Sequence, residues 1–507
     1  MEDSPPQPHL PDSGNHYLWS HIPAYDLLNV RYNERSLNED INLCLPGDLC
    51  NVVLTVNKLP KEFRHKLTII INDRDPYVAI RHVVLLAILS SDLDAVDAAN
   101  MALHTWFSAF VPETYPMVAW EMISSFFVDD PRLTTAHPGI NMRLNKNASL
   151  ACELSREARQ LMGEALCADI SLDEANKQRD KALFDPRRVD VTESAYCCLE
   201  PSHRVAHRDF RRHGIVLPFG AAKNEFKKPN PFLFSTKGEW LQEDLVTPLQ
   251  SWDLVDVVAV GHRYGIARED LFGCLYFYVQ DQLTSFIERL RRFNISFHLF
   301  DLEACELARR ISSGSMANIG IPPSIRFDRI DVSNTMDFTY VGIARTLEAW
   351  GPLLSSSRFA TVIGYFKHWI TIQLDGGIDG ADTLTKARIT MTMMKDGKFP
   401  TPDRSGHPKH SLMPGLEAAY YHLTTTYYNN YPPFRKYIES HGMPQALEKE
   451  KLKMKSKHTI MPPRFGVPLD SSPNALPVFA DDETWYLQAL TGQTVIWCER
   501  FVEIVKS

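Results

Sequence analysis

The sequence predicts an α/β protein built on a doubly wound, mostly parallel sheet with large, mainly helical insertions. Two observations carry this. Residues 41–89 read strand, helix, strand, helix, and residues 295–366 repeat that alternation. Alternation of this kind gives parallel strands joined by right-handed helical crossovers. The mix of 44% hydrophobic and 23% charged residues over 507 residues is that of an ordinary globular protein.

In the first stretch, Ile41-Asn42-Leu43-Cys44-Leu45 is a short apolar strand, broken by Pro46-Gly47-Asp48. Leu49, Val52, Val53 and Val56 follow at helical spacing, and Pro60 ends that helix. Leu67 to Ile71 is a continuous apolar run, as a parallel strand covered on both faces requires. Asp75 is a natural N-cap and Pro76 a natural first residue for the apolar helix from Tyr77 to Leu89. Residues 91–130 look helical, and residues 136–250 loosen into polar and Pro-containing runs. Trp252 to Tyr264 and Glu269 to Phe293 read as helices.

The second stretch offers strands at Ile295–Phe300, Phe327–Val332 and Ala360–Phe366, with helices at Asp301–Ser312 and Tyr340–Leu354. Near the end, Ala475–Phe479 and Thr494–Phe501 read as two strands joined by a turn near Thr491-Gly492. The expected organisation is a disordered tail over 1–16 and the first half of the sheet domain over 17–135. A helical or irregular insertion spans 136–293, and the second half of the sheet spans 294–370. A helical or loop insertion follows over 371–470, and an antiparallel strand pair over 471–507 completes the sheet.

Net charge is −8. That balance lacks the basic footprint of a nucleic-acid binder and suits an anionic membrane poorly. No apolar run nears the roughly 18 residues of a spanning helix, and the N-terminus lacks the pattern of a signal peptide. The expected compartment is the cytoplasm, or the nucleus. The nine cysteines include no C-x-x-C pair, so most are expected as buried thiols. The run EKEKLKMKSKH reads as a solvated helix end or linker.

The runs PAYDLLNVRYNE, LPGDLCNVVLTVNKLP and LTIIINDRDPYVAIRHVVLLAIL resemble an uncharacterised fungal family that shares its N-terminal domain with the dynein axonemal assembly factors. The resemblance continues through ALHTWFSAFVP, SWDLVDVVAVGHRYG and RFDRIDVSNTMDFTYVGIARTLEAWGPLL, and covers roughly residues 20–370. The family's sheet is similar to that of class I S-adenosylmethionine-dependent methyltransferases. The resemblance implies a fold and brings no established reaction.

Set beside those methyltransferases, residue by residue, the glycine-rich turn after the first strand is Leu45-Pro46-Gly47-Asp48-Leu49, with one glycine. The acid expected at the second strand's end, for the ribose hydroxyls, is Asp73. Asp301 stands after the third strand, where an acid lies beside the adenine. Ser333-Asn334-Thr335-Met336-Asp337 stands where the fourth strand opens onto the methyl acceptor. The resemblance thus names Gly47, Asp48, Asp73, Asp301, Asn334 and Asp337 as cofactor-site candidates, and the Asn/Asp-Pro-Pro-aromatic motif of amino methyltransferases is absent.

Four of these have a simpler reading from the residue alone, whereas Asp73 stands at a strand's carboxyl end, where ligands bind in such sheets. Gly47 turns the chain, Asp48 caps the following helix, and Asn334 and Asp337 bond their own turn. Asp328 and Asp331 read as polar edge positions or partners of Arg326 and Arg329. His203, His207 and His213 lie at spacings of four and six residues, open to a metal but more simply part of a surface basic helix or of an anion- or partner-binding patch. The two function hypotheses are a protein-interaction or assembly scaffold with protein partners, and an active S-adenosylmethionine-dependent methyltransferase.

Overall fold

The computed structural model describes residues 16–35, 37–124, 140–184, 196, 199–242, 246–398, 423–491 and 497–507. The strands are β1 (Ile41–Pro46), β2 (Lys66–Asn72), β3 (Phe110–Pro112), β4 (Ile140–Arg143), β5 (Ala148–Glu153) and β6 (Phe226–Pro229). They continue with β7 (Asn294–Phe300), β8 (Arg329–Asp331), β9 (Thr361–Phe366), β10 (Leu452–Met454) and β11 (Arg500–Lys506). Nine of them form one sheet in the order β10-β11-β9-β8-β1-β2-β7-β5-β4, and β3 pairs with β6 apart from it. From β9 to β5 every neighbour is parallel; β4, β11 and β10 pair antiparallel.

The strands are apolar on both faces because helices cover both. Leu43, Leu45, Ile69 and Ile71 point into one core, with the helices Pro76–Ser90, Ala95–Phe107 and Leu271–Leu290. Cys44 and Ile70, one residue out of phase, point into the other, with the helices Ala304–Ser312, Ile343–Trp350 and Tyr431–Ser440. Period-two side-chain alternation thus divides one apolar run between two cores. Asp75 caps the helix Pro76–Ser90 as expected, its Oδ1 accepting from the Tyr77 N–H at 2.9 Å.

Four expectations change. Residues 136–293, expected as helical or irregular, also supply β4 and β5, and β5 lies parallel to β7. Ala475–Phe479 forms no strand. The partner of the C-terminal strand β11 is instead β10, inside the basic run expected to be a solvated helix end. The thin apolar content of Leu452-Lys453-Met454 hid it; only Leu452 is buried. The helix Pro201–His213 is not a surface helix throughout, since His203, His207 and Arg211 are buried. Of the tail, residues 1–15 lie outside the described residues, as do 492–496 before β11, while His16 is bonded to the sheet edge.

Five of the seven described cysteines are buried; Cys197 and Cys198 lie outside the described residues. No described helix is long and apolar enough to cross a membrane.

Candidate functional site

In an open parallel sheet, ligands bind beyond the carboxyl ends of the strands, where the strand order reverses. Here that point lies between β1 and β8, since β2 and β7 extend the sheet one way and β9 the other. The chain leaves β1 through Gly47 at φ +75°, a left-handed conformation that favours glycine. A Cβ on Gly47 would lie 4.0 Å from Asp73 Oδ2, so the dihedral rather than crowding requires glycine there.

Asp73 follows β2. Its N–H donates to the Phe300 carbonyl at 3.1 Å, and its Oδ1 accepts from the Asp75 N–H at 2.9 Å. Burial among protein atoms pushes its carboxyl up to about 7, against the pull of that hydrogen bond. Beside it, Asn72 locks β2 to the end of β7, donating to the Leu302 carbonyl at 2.8 Å and accepting from its N–H at 3.0 Å.

The other candidates are engaged in holding the fold. Asp48 does not cap the following helix: the N-cap position is Leu49, without a side-chain bond. Its oxygens instead accept from the Ser20 N–H and the Trp106 indole, each at 3.1 Å, and lie 3.8 Å from buried His82. Asp301 accepts from the Ser155 N–H at 2.9 Å and the Ser155 hydroxyl at 2.5 Å, tying β7 to the loop after β5. Asn334, half-buried after β8, bonds Tyr340. Asp337 is fully buried and accepts four bonds, from the Phe338, Lys367 and His368 N–H groups and the Tyr437 hydroxyl. Arg74 is exposed and lies over the Tyr340 ring at 6.0 Å.

What covers the edge is the first part of the chain's own segment 16–35: residues 16–25 run across four strand ends. His16 Nδ1 lies 2.7 Å from Asp75 Oδ2, beyond β2. Buried Arg81 donates to the Leu18 carbonyl. Ser20 reaches Asp48 beyond β1, and Trp19 is buried, its indole donating to the Trp106 carbonyl at 2.8 Å. Beyond β9, burial and the nearby Lys367 and His368 hold the His21 imidazole down at about 3.

At β8, the Tyr25 hydroxyl donates to Asp331 Oδ2 at 2.8 Å. Asp331 also accepts from the Ser333 N–H at 2.7 Å, and burial pushes its carboxyl up to about 6. Arg329, fully buried, donates to the Leu27 and Leu28 carbonyls at 3.0 Å and to Glu34 at 2.6 Å. Asp331 and Arg329 therefore bond the segment rather than one another. Asp328 likewise accepts from the Asn42 N–H at 2.9 Å and the Ser355 hydroxyl at 3.1 Å.

At the ends of β1, β2 and β8, the crevice lined by Pro46, Asn72, Leu307, Asp331, Thr335 and Trp350 has a volume of about 10 Å³. That is the room of about one water. The sequence reading passed over Tyr25, Arg329 and Asp331 as a unit. The only signal was the apolar character of PAYDLL ahead of β1.

Elsewhere, His203 bonds the Tyr486 hydroxyl at 2.7 Å and the Arg268 carbonyl at 3.0 Å, so both ring nitrogens serve packing. Among the described residues no group of three or more His, Cys, Asp or Glu side chains is placed to hold a metal. No curated protein and no solved structure matches the chain. Residues 18–111, which run from the covering segment through β1 and β2 to β3, match the model of an uncharacterised family described as a domain of unknown function (DUF4470).

Proposed function

We propose that the chain is an intracellular protein-interaction or assembly-type protein that uses a methyltransferase-like sheet as its scaffold. The observation that carries this reading is the filled edge. Small-molecule sites are typically about 300–1,000 Å³, and the switch-point crevice keeps about 10 Å³. All four acids named for a cofactor already accept bonds from the protein's own donors, and for Asp48, Asp301 and Asp337 these donors come from other segments of the chain.

The order β7-β2-β1-β8-β9 supports the methyltransferase-like description, being the 3-2-1-4-5 arrangement of nucleotide-binding sheets. The antiparallel strands β11 and β10 beside it agree with the hairpin that closes methyltransferase sheets. The resemblance of the sequence to a family that shares its N-terminal domain with the dynein axonemal assembly factors is in keeping with this reading.

An active S-adenosylmethionine-dependent methyltransferase is the second reading. It is favoured by Asp73, which stands at the end of β2 facing the Gly47 turn, as a ribose-binding acid does. It requires residues 16–25 to leave the edge.

Isothermal titration with S-adenosylmethionine and S-adenosylhomocysteine separates the two. No heat at millimolar ligand supports the scaffold. Micromolar binding, about −8 kcal/mol, that is lost in Asp73→Ala supports the enzyme.

A further inference from the structure

The helix Thr383–Lys395 is apolar on two sides. Ile389 and Met393 point inward, into a cluster with Ile378, Leu423, Ala489 and Trp497. Leu384, Met391 and Met394 point outward and are 68%, 71% and 56% exposed. At about 100° per residue, Leu384 and Met391 lie about 20° apart, and Ala387 and Met394 widen the stripe on one side. Ile389 and Met393 lie about 140–180° round from Leu384, so the outward stripe is not the edge of the buried face.

On the other side of the stripe stand Arg388 and Lys395, seven residues apart and both exposed. Neither is ion-paired with a carboxylate among the described residues. The helix has no acidic residue and three basic ones, Lys386, Arg388 and Lys395, in a chain whose net charge is −8. Next to its start, the turn holding Leu374, 72% exposed, packs against Gly380.

We propose that this face is a docking surface for an acidic amphipathic helix of a partner protein. The inference rests on the interaction reading above and names the chemistry of the partner. The partner's apolar stripe covers Leu384, Ala387, Met391 and Met394, and carboxylates along one margin meet Arg388 and Lys395. Unbranched methionines suit a surface that adapts to a partner helix. The paired basic ridge sets the partner's sign and orientation, because complementary charge at an interface acts mainly through selectivity and encounter. A bilayer is a poorer fit, since the helix offers two outward cations on an acidic chain and anionic surfaces attract basic clusters.

The test uses the full chain and a fluorescent synthetic amphipathic helix with leucines along one face and glutamates along its margin. A lysine-for-glutamate version of the peptide serves as its counterpart. The acidic peptide is expected to bind about tenfold tighter than the basic one. Arg388→Glu with Lys395→Glu is expected to reverse that preference. Met391→Ser with Met394→Ser is expected to weaken both peptides about tenfold.

Absence of peptide binding, or equal binding of both peptides, overturns the proposal. So does peptide binding that either double variant leaves unchanged. Concentration-dependent self-association abolished by the methionine variant would assign the face to a second copy. Binding to phosphatidylserine-containing vesicles abolished by the charge variant would assign it to a membrane. A parallel S-adenosylmethionine titration of the same preparations reports on the scaffold reading separately.

Discussion

The Tyr25 hydroxyl donates to Asp331 Oδ2 at 2.8 Å, joining residues 306 positions apart and closing the chain's N-terminal segment over the end of β8. Asp331 is buried, and its other oxygen is taken by the Ser333 N–H. The bond therefore links the covering segment to the place where a doubly wound sheet normally admits a ligand. Arg329, at the start of the same strand, anchors the continuation of the segment through the Leu27 and Leu28 carbonyls.

Tyr25→Phe leaves a buried carboxylate one donor short and preserves the ring's packing. Leaving a buried acceptor unsatisfied costs about 1–3 kcal/mol. The free energy of unfolding by urea is expected to fall by that amount, seen as a lower midpoint at an unchanged slope. An unchanged midpoint would show that the bond contributes nothing to holding the segment.

Asp73 and Asp331 give the protein a pH dependence of defined sign. Their folded pKa values, about 7 and about 6, lie above the ordinary Asp value of 3.8. The folded state therefore binds more protons than the unfolded one between about pH 4 and 7. Their contribution to stability is fully present below pH 3.8 and is lost as pH rises through 6 and 7. Asp73→Asn keeps an acceptor for the Asp75 N–H and removes the charge. Relative to the native chain it is expected to gain on the order of 1–2 kcal/mol at pH 8 and almost nothing near pH 4. Equal differences at the two pH values, by urea denaturation, would contradict the raised pKa.

Asp337→Ala removes one acceptor from four donors that meet at the end of β9. The loss is expected to be about 2–3 kcal/mol, because the buried Tyr437 hydroxyl and the half-buried Lys367 and His368 N–H groups lose their acceptor together. Tyr437→Phe removes a single donor and is expected to cost about 1 kcal/mol. Near-equal thermal shifts for the two variants would overturn this account of the cluster.

Lys455, inside the basic run near the C-terminus, lies 2.8 Å from Glu503 of β11. Glu503 is fully buried and also accepts from the Thr459, Ile460 and Met461 N–H groups. Burial raises its pKa, but Lys455, His458 and these donors outweigh it and hold the carboxyl below the usual range. Removing one member of a buried pair costs about 3–5 kcal/mol. Lys455→Met is expected to destabilise by about that amount, whereas the exposed Lys453→Met is expected to be nearly neutral. Equal effects would return the run to a solvated linker.

A parallel strand was legible where burial on both faces wrote a nearly continuous apolar run, as in Leu67–Ile71. The Asp75-Pro76 helix start was legible because capping is local. β10 was not, because Leu452-Lys453-Met454 has one buried side chain and takes its register from β11, some fifty residues later. Asp73 was found from its place at the end of β2. Asp48 was misread as a cap because its partners, Ser20 and Trp106, belong to distant segments. The covering segment was missed for the same reason: Tyr25 and Arg329 carry no local pattern, and only the folded sheet brings them together.

The central claim is that residues 16–25 occupy the ligand edge of the sheet as fixed structure. Hydrogen–deuterium exchange, followed on peptides covering residues 17–28 with and without S-adenosylmethionine, tests it most directly. The Leu18, Ser20, Tyr25 and Leu27 N–H groups are all bonded to side chains of the domain. Exchange slowed by about a hundredfold or more, close to that of β1 and indifferent to the cofactor, is the expected result. Exchange at the rate of an open loop, or a segment whose exchange changes when the cofactor is added, would contradict it.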